Sequence, residues 1–288
     1  MSVNGFIPEI WADQTLDKLE KIHVYANRCN RDYEGEISRA GDTVHINEIG
    51  DITIRDYTRN STTNLTIQEL TDAQQNLIIE RARYFGFKVD NLDKAQTKPK
   101  LMDKAIQRAA YSMKDDVDSW IAQRMSSGGF FTGTNSTELG STVTALSVTS
   151  TLVITALGWG ARIHDQNNIP TDGRWVVVSP AIHHQMVAAK IVQDTNNSAV
   201  LSMGAGAVGN FYGYDIYVSN NCYLGSATSS QYHCIFGHSM GVTFAQQLAE
   251  VKAFELTDQG FGDAVKGLNL YGMKITRPEA ILRGVFTP

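Results

Sequence analysis

The hydrophobic pattern changes period several times along the chain. Trp11, Leu16, Leu19, Ile22 and Tyr25 recur at three- to five-residue steps after Pro8 and Glu9, which predicts a short helix over residues 8–25. Little nearby in sequence could cover its apolar stripe. Polar, turn-rich residues 30–37 follow. Residues 43–46 and 51–56 then alternate polar and apolar positions, the period of a strand. Residues 59–64 form a polar tip, and a second extended stretch runs back over residues 75–89. The simplest picture is a long antiparallel excursion with few large apolar groups at its far end. A hairpin of that kind is marginal in water and needs another surface, from its own chain or from a neighbour.

After Pro99 the period becomes helical. Met102, Ile106, Ala109, Met113, Val117, Trp120, Ile121 and Met125 fall three and four apart. Lys114, Asp115, Asp118 and Arg124 are expected on the opposite, solvated side. Some 28 residues make a rod of roughly 40 Å, ended by the Ser126-Ser127-Gly128-Gly129 run. Residues 130–150, rich in Thr, Ser and Gly, read as a loop and boundary. A mixed segment follows: a helix over 152–165, a buried strand over 174–178 and a helix over 180–192. A small-residue loop is expected over 196–209, with strands near 214–218, 232–236 and 242–246. The last forty residues read as strands around 251–256, 268–275 and 280–286.

Composition narrows the classes. With 42% hydrophobic residues the 288-residue chain can bury a core, and its length suggests about two domains. No apolar run approaches the ~18 residues of a membrane span, and no basic region precedes an apolar stretch at the start. The expectation is neither a membrane nor a Sec-exported protein. A net charge of -5 lacks the basic surplus of chains that wrap nucleic acid. Cys29, Cys222 and Cys234 are widely spaced and fit reduced packing residues rather than a disulfide or zinc framework.

Several motifs imitate catalytic chemistry. Gly237-His238-Ser239-Met240-Gly241 matches a nucleophile elbow, but a serine hydrolase using Ser239 needs a later histidine, and none follows His238. Gly204-Ala205-Gly206-Ala207-Val208-Gly209 matches a dinucleotide loop, yet it leads into a strand-like stretch and lacks the downstream acid. His183 and His184 point about 100° apart on a helix. His164-Asp165 and the pair Cys234 and His238 lack a third ligand. Asp115, Asp116 and Asp118 read as a solvated helix face. No catalytic, cofactor or metal residue is assigned, and the chain is expected not to be an enzyme.

The order of elements, with Ile7-Pro8-Glu9-Ile10-Trp11, residues 30–37 leading to Gly41-Asp42-Thr43-Val44, residues 169–180, Gly213-Tyr214-Asp215-Ile216-Tyr217-Val218-Ser219-Asn220 and Gly267-Leu268-Asn269-Leu270-Tyr271-Gly272, resembles the major capsid protein of tailed double-stranded DNA bacteriophages. The likeness covers nearly the whole chain. It implies an α+β fold with an N-terminal arm (1–35), an extended loop (36–92), a peripheral domain with a spine helix (93–150 and 247–288) and an axial domain (151–246). The resemblance also implies a virion protein made in the host bacterial cytoplasm. It would be a homo-oligomer of pentamers and hexamers enclosing dsDNA, with separate scaffolding and portal proteins and room for a decoration protein. Some family members weld their shells through a lysine in the extended loop; here no lysine lies between Lys21 and Lys88, so a non-covalent shell is expected. The arm-like residues follow Met1 at once, so a separate scaffolding protein or none is expected. An encapsulin-like compartment shares the resemblance and is the nearest alternative.

Overall fold

The computed structural model describes residues 23–32, 43–49, 52–56, 67–68, 72–90, 100–128, 139–140, 145–149, 152–188, 207–226, 231–255 and 262–288. The expected first helix lies largely outside them. Its last residue, Tyr25, opens a 3₁₀ turn, Tyr25–Arg28.

The 28-residue helix α1 (Lys100–Ser127) runs where the apolar period predicts it, for about 42 Å. Two shorter helices, α2 (Leu152–Gln166) and α3 (Pro180–Ala188), flank β5 (Arg174–Val178) in sequence. The expected 180–192 helix is described only as far as Ala188.

Among the described residues the strands form three sheets. The largest contains β4 (Leu146–Ser147), β12 (Ile281–Thr287), β9 (Gln231–His238), β5, β7 (Tyr214–Val218) and β6 (Ala207–Phe211), in that order. β5 runs parallel to β7 and antiparallel to β9. β8 (Leu224–Ser226) pairs with β9 at Tyr232 and Gln231, where β12 holds the other edge, so β8 continues the side that β5 has left.

Every residue of β5 is buried, because helices cover both faces of the sheet. The strand's two-residue period divides its side chains. Trp175 and Val177 join Val117, Trp120, Ile121 and Met125 of α1 and Tyr25 in one cluster. Val176 and Val178 join Leu157 and Ile163 of α2 and Ile182 and Met186 of α3 in another. The layers are therefore α2 with α3, then the sheet, then α1 with residues 23–30. Gly237 permits a close approach, since a Cβ there would lie 2.5 Å from the Trp175 ring.

The second sheet joins β10 (Val242–Glu255), β11 (Gly262–Ile275) and β3 (Arg81–Asp90) in antiparallel order. The third is the two-stranded β1 (Thr43–Ile49) with β2 (Asp72–Ile78).

Four sequence expectations need correction. Residues 52–56 are not a strand, although Thr53 N donates to Gln68 Oε1 at 3.0 Å opposite it in the register set by Ile49↔Asp72. The stretch 75–89 is two strands in two sheets. Residues 207–209 belong to β6 rather than a loop, because the Tyr212-Gly213 turn, with φ of 51° and 77°, closes a tight hairpin onto β7. The expected strands at 242–246 and 251–256 are one strand, β10, kept continuous by its long partner β11 through an irregularity between Leu248 and Glu250.

Candidate functional site: the spine-helix joint and the uncovered hairpin

The motifs that imitate enzymes come apart in three dimensions. Ser239 sits in a 3₁₀ turn, Ser239–Gly241, between β9 and β10, with no helix after it. The neighbouring His238 is committed: Nδ1 accepts from Met240 N at 3.2 Å, so Nε2 carries the proton and donates to Asp172 O at 2.7 Å. Neither nitrogen is left to take a serine proton. In the glycine-rich loop, residues 204–206 lie outside the described residues, and the rest enters β6 rather than a helix.

His164 and Asp165 diverge. The His164 ring is fully buried and shares a 2.6 Å hydrogen bond through Nδ1 with the Tyr214 hydroxyl, while Asp165 pairs with Arg174 at 2.8 Å near the surface. Burial, with the Arg174 charge second, pushes His164 down to about 3, so the imidazole is neutral at physiological pH. Burial pushes the thiols of Cys29 and Cys222 up to about 12 and that of Cys234 well above its usual value, which keeps all three protonated and unreactive. Cys234 is wholly buried, and among the described residues no cluster of three metal-ligating side chains forms.

The acidic run on α1 behaves differently from the expected solvated face. Asp118 is completely buried. Its Oδ1 accepts from Ala26 N at 3.3 Å and its Oδ2 from Asn221 Nδ2 at 3.2 Å. Asn221 Nδ2 also donates to Asp115 at 2.8 Å, and His23 lies 3.9 Å from Asp115. Asp116 accepts from the Tyr271 hydroxyl at 2.6 Å and pairs with Arg83 at 3.2 Å. One turn of α1 thus fastens residues 23–26, the turn after β7, and strands β11 and β3. Burial raises the Asp118 carboxyl above its ordinary value, opposed by the hydrogen bonds from Ala26 and Asn221. Arg28 reinforces the same seam, donating to Tyr217 Oη at 2.9 Å and lying 4.5 Å above that ring. Nothing local in the chain marks Asn221, Tyr271 or Arg28 for this role, because their partners are remote in sequence.

Among the described residues the hairpin is fastened at its root. Leu77 and Ile79 are buried against Ala245 and Leu270, and Gln75 Nε2 donates to Thr276 O at 3.2 Å. Farther out, Ile52, Ile54 and Ile67 are 68%, 95% and 90% exposed. Large apolar side chains this bare in a row mark a surface that something else covers. The tip, residues 57–66, lies outside the described residues.

A long helix bearing a three-stranded sheet on one flank, a helix-covered mixed sheet and an outlying hairpin together define the phage major-capsid fold, as the sequence resemblance implies. Solved structures agree over the whole length. A chain of Mycobacterium phage Che8 is 25% identical with a TM-score of 0.74, over 99% of this chain and 98% of that one. The capsid structure of cyanophage P-SCSP1u matches with a TM-score of 0.71 at 14% identity, over 100% and 95% of the two chains. The capsid of Ralstonia phage GP4 matches with a TM-score of 0.61 at 14% identity, over 99% and 97%. No protein-family model and no curated protein matches the sequence. Among the described residues no helix is long and apolar enough to cross a membrane.

Proposed function

We propose that this chain is the major capsid protein of a tailed double-stranded DNA phage. It assembles into pentamers and hexamers of a closed icosahedral shell, is made in the host cytoplasm and ends in the virion. The observation that carries this reading is a full-length capsid fold whose hairpin, anchored at Leu77 and Ile79, holds Ile52, Ile54 and Ile67 out into solvent. Identical copies supply the missing cover, and a closed shell multiplies modest contacts into strong assembly.

Under this reading residues 1–35 are the arm and 36–92 the extended loop. Residues 93–150 with 247–288 form the peripheral domain, and 151–246 the axial domain. The chain is structural rather than catalytic. A portal protein and a separate scaffolding protein are its expected partners, and it encloses DNA without reading its sequence. The absence of lysine between Lys21 and Lys88 favours a shell without covalent links.

Negative-stain electron microscopy of the purified chain and of its source lysate tests the reading. The expected result is hexamers, pentamers or closed shells, with packaged DNA and a portal vertex in native particles. Particles holding a cargo enzyme and no DNA would establish the encapsulin-like alternative. A monomer at every concentration would end both.

A further inference from the structure

The last turn of α1 and the three-stranded sheet line two neighbouring cavities, of about 340 Å³ and about 260 Å³, which share Arg124 and Ser127. Together they make one groove open to solvent. Arg81 stands at one end, Lys274 at the other and Arg124 between them. Glu80 pairs with Arg124, and among the described residues no carboxylate pairs with Arg81 or Lys274. Three cations against one carboxylate leave the groove a surplus of two positive charges, in a chain whose net charge is -5.

These cations are held in place. Arg81 and Arg124 both lie over the Trp120 ring, at 5.6 and 5.8 Å from its centre, so one indole anchors both guanidiniums. Lys274 is exposed between the half-buried Met273 and Ile275. The partial negative charge of the helix end is answered elsewhere, because Arg283 Nη1 donates to Ser126 O at 2.7 Å. Guanidinium forks match phosphate oxygens in pairs, and an ammonium adds a point charge. Trp120 is only 6% exposed, so the groove offers no aromatic face on which a base could stack. It suits a sugar-phosphate backbone and leaves bases unread. Protein segments of the same charge draw their affinity from an anchor side chain in a desolvated pocket, which two open cavities do not supply.

We propose that this groove binds the backbone of double-stranded DNA, taking two phosphates at Arg81 and Lys274 with Arg124 between them. The assignment rests on the shell reading, which supplies the polymer, and goes beyond it by giving each copy one defined DNA contact. The acidic remainder of the chain repels the duplex, so the contact is confined to this spot. Two phosphates per copy hold the polymer weakly, and one groove on every copy of a shell multiplies the hold.

The first test is lysine acetylation of native particles, read by mass spectrometry before and after their DNA is released. Lys274 should react at least about threefold more slowly in filled particles, while Lys114, exposed on α1 outside the groove, should react alike in both. Equal labelling of Lys274, or equal protection of Lys114, overturns the contact and leaves the shell reading intact. Particles that never hold DNA remove both. The second test is the salt dependence of binding between unassembled full-length subunits and a labelled 25-bp duplex, from 10 to 100 mM salt. The logarithm of the binding constant should fall with the logarithm of salt at a slope of about -1.8, the same for two unrelated sequences. Lys274→Gln and Arg81→Gln should each halve that slope, and Lys274→Arg should restore it. An unchanged slope in Lys274→Gln overturns the assignment even if Arg81→Gln fails to fold. Binding of a labelled poly-glutamate peptide in place of the duplex overturns it too, and gives the groove to an acidic protein segment.

Discussion

The seven-stranded sheet and the β1–β2 hairpin solve the same backbone problem with opposite means. In β5 every side chain is buried and the strand is an unbroken apolar run after Arg174, because helices lie on both faces. In β2, Asp-Ala-Gln-Gln-Asn precedes Leu-Ile, and Leu77 is buried where the strand meets the body. One element completes its core within a single chain. The other leaves large apolar side chains bare at Ile52 and Ile54 and, under the proposed reading, finds its cover on another copy. Damage to the first should therefore be read in folding, and damage to the second in assembly.

The largest expected effect is in the sheet. Phe236 is 1% exposed and packs edge-on against Tyr214 and Phe286. Phe236→Ala should cost about 3–5 kcal/mol, seen as a lower denaturant midpoint with loss of soluble chain. A stability change under 1 kcal/mol would contradict the packing described for β9.

The joint on α1 should respond less. Asn221→Ala withdraws the side-chain donor shared by Asp115 and Asp118 and should cost about 1–3 kcal/mol by equilibrium unfolding. The joint is also pH-linked. Burial raises the folded-state pKa of Asp118, so the fold retains a proton that the unfolded chain has released. Its contribution is fully present below the ordinary carboxylate value and is lost as pH rises through the raised one. Asp118→Asn should flatten that part of the stability–pH curve; an unaltered curve would place the linkage elsewhere.

The smallest effect on folding belongs to the hairpin. Ile54→Ser should change unfolding free energy by less than about 0.5 kcal/mol, since the residue is 95% exposed, while sharply reducing shell formation by light scattering. Normal assembly by this variant would remove Ile54 from the interface and erase the contrast between the two regions.

What could be read from the sequence follows the same division. The spine helix, β5, β7 and β9 stand where their apolar periods predict, because burial of one face imprints a local rhythm. Partnership leaves no such imprint. β3 continues the apparent return strand of the hairpin but leaves it to pair with β11, and periodicity does not say which edge a strand will choose. Asp118 resembles its solvated neighbours because the groups that admit it to the interior, Ala26 N and Asn221, lie 92 and 103 positions away. The cation pair over Trp120 leaves no imprint for a similar reason. Arg81 and Arg124 come together only over Trp120, and isolated arginines in a sequence look like ordinary surface residues.

The chain crosses between its two large sheets twice, at residues 239–241 and 276–280, and the crossings are stitched to each other. Thr276 N donates to Gly241 O at 3.0 Å, Thr276 Oγ1 to Met240 O at 3.1 Å, and Arg277 N to Gly241 O at 3.3 Å. Two straps fixed side by side resist twisting but allow bending about their common line. Under the proposed shell reading, a change of angle between the sheets would be steered into a single direction, the freedom a tile needs to fit both a flat facet and a sharply curved corner.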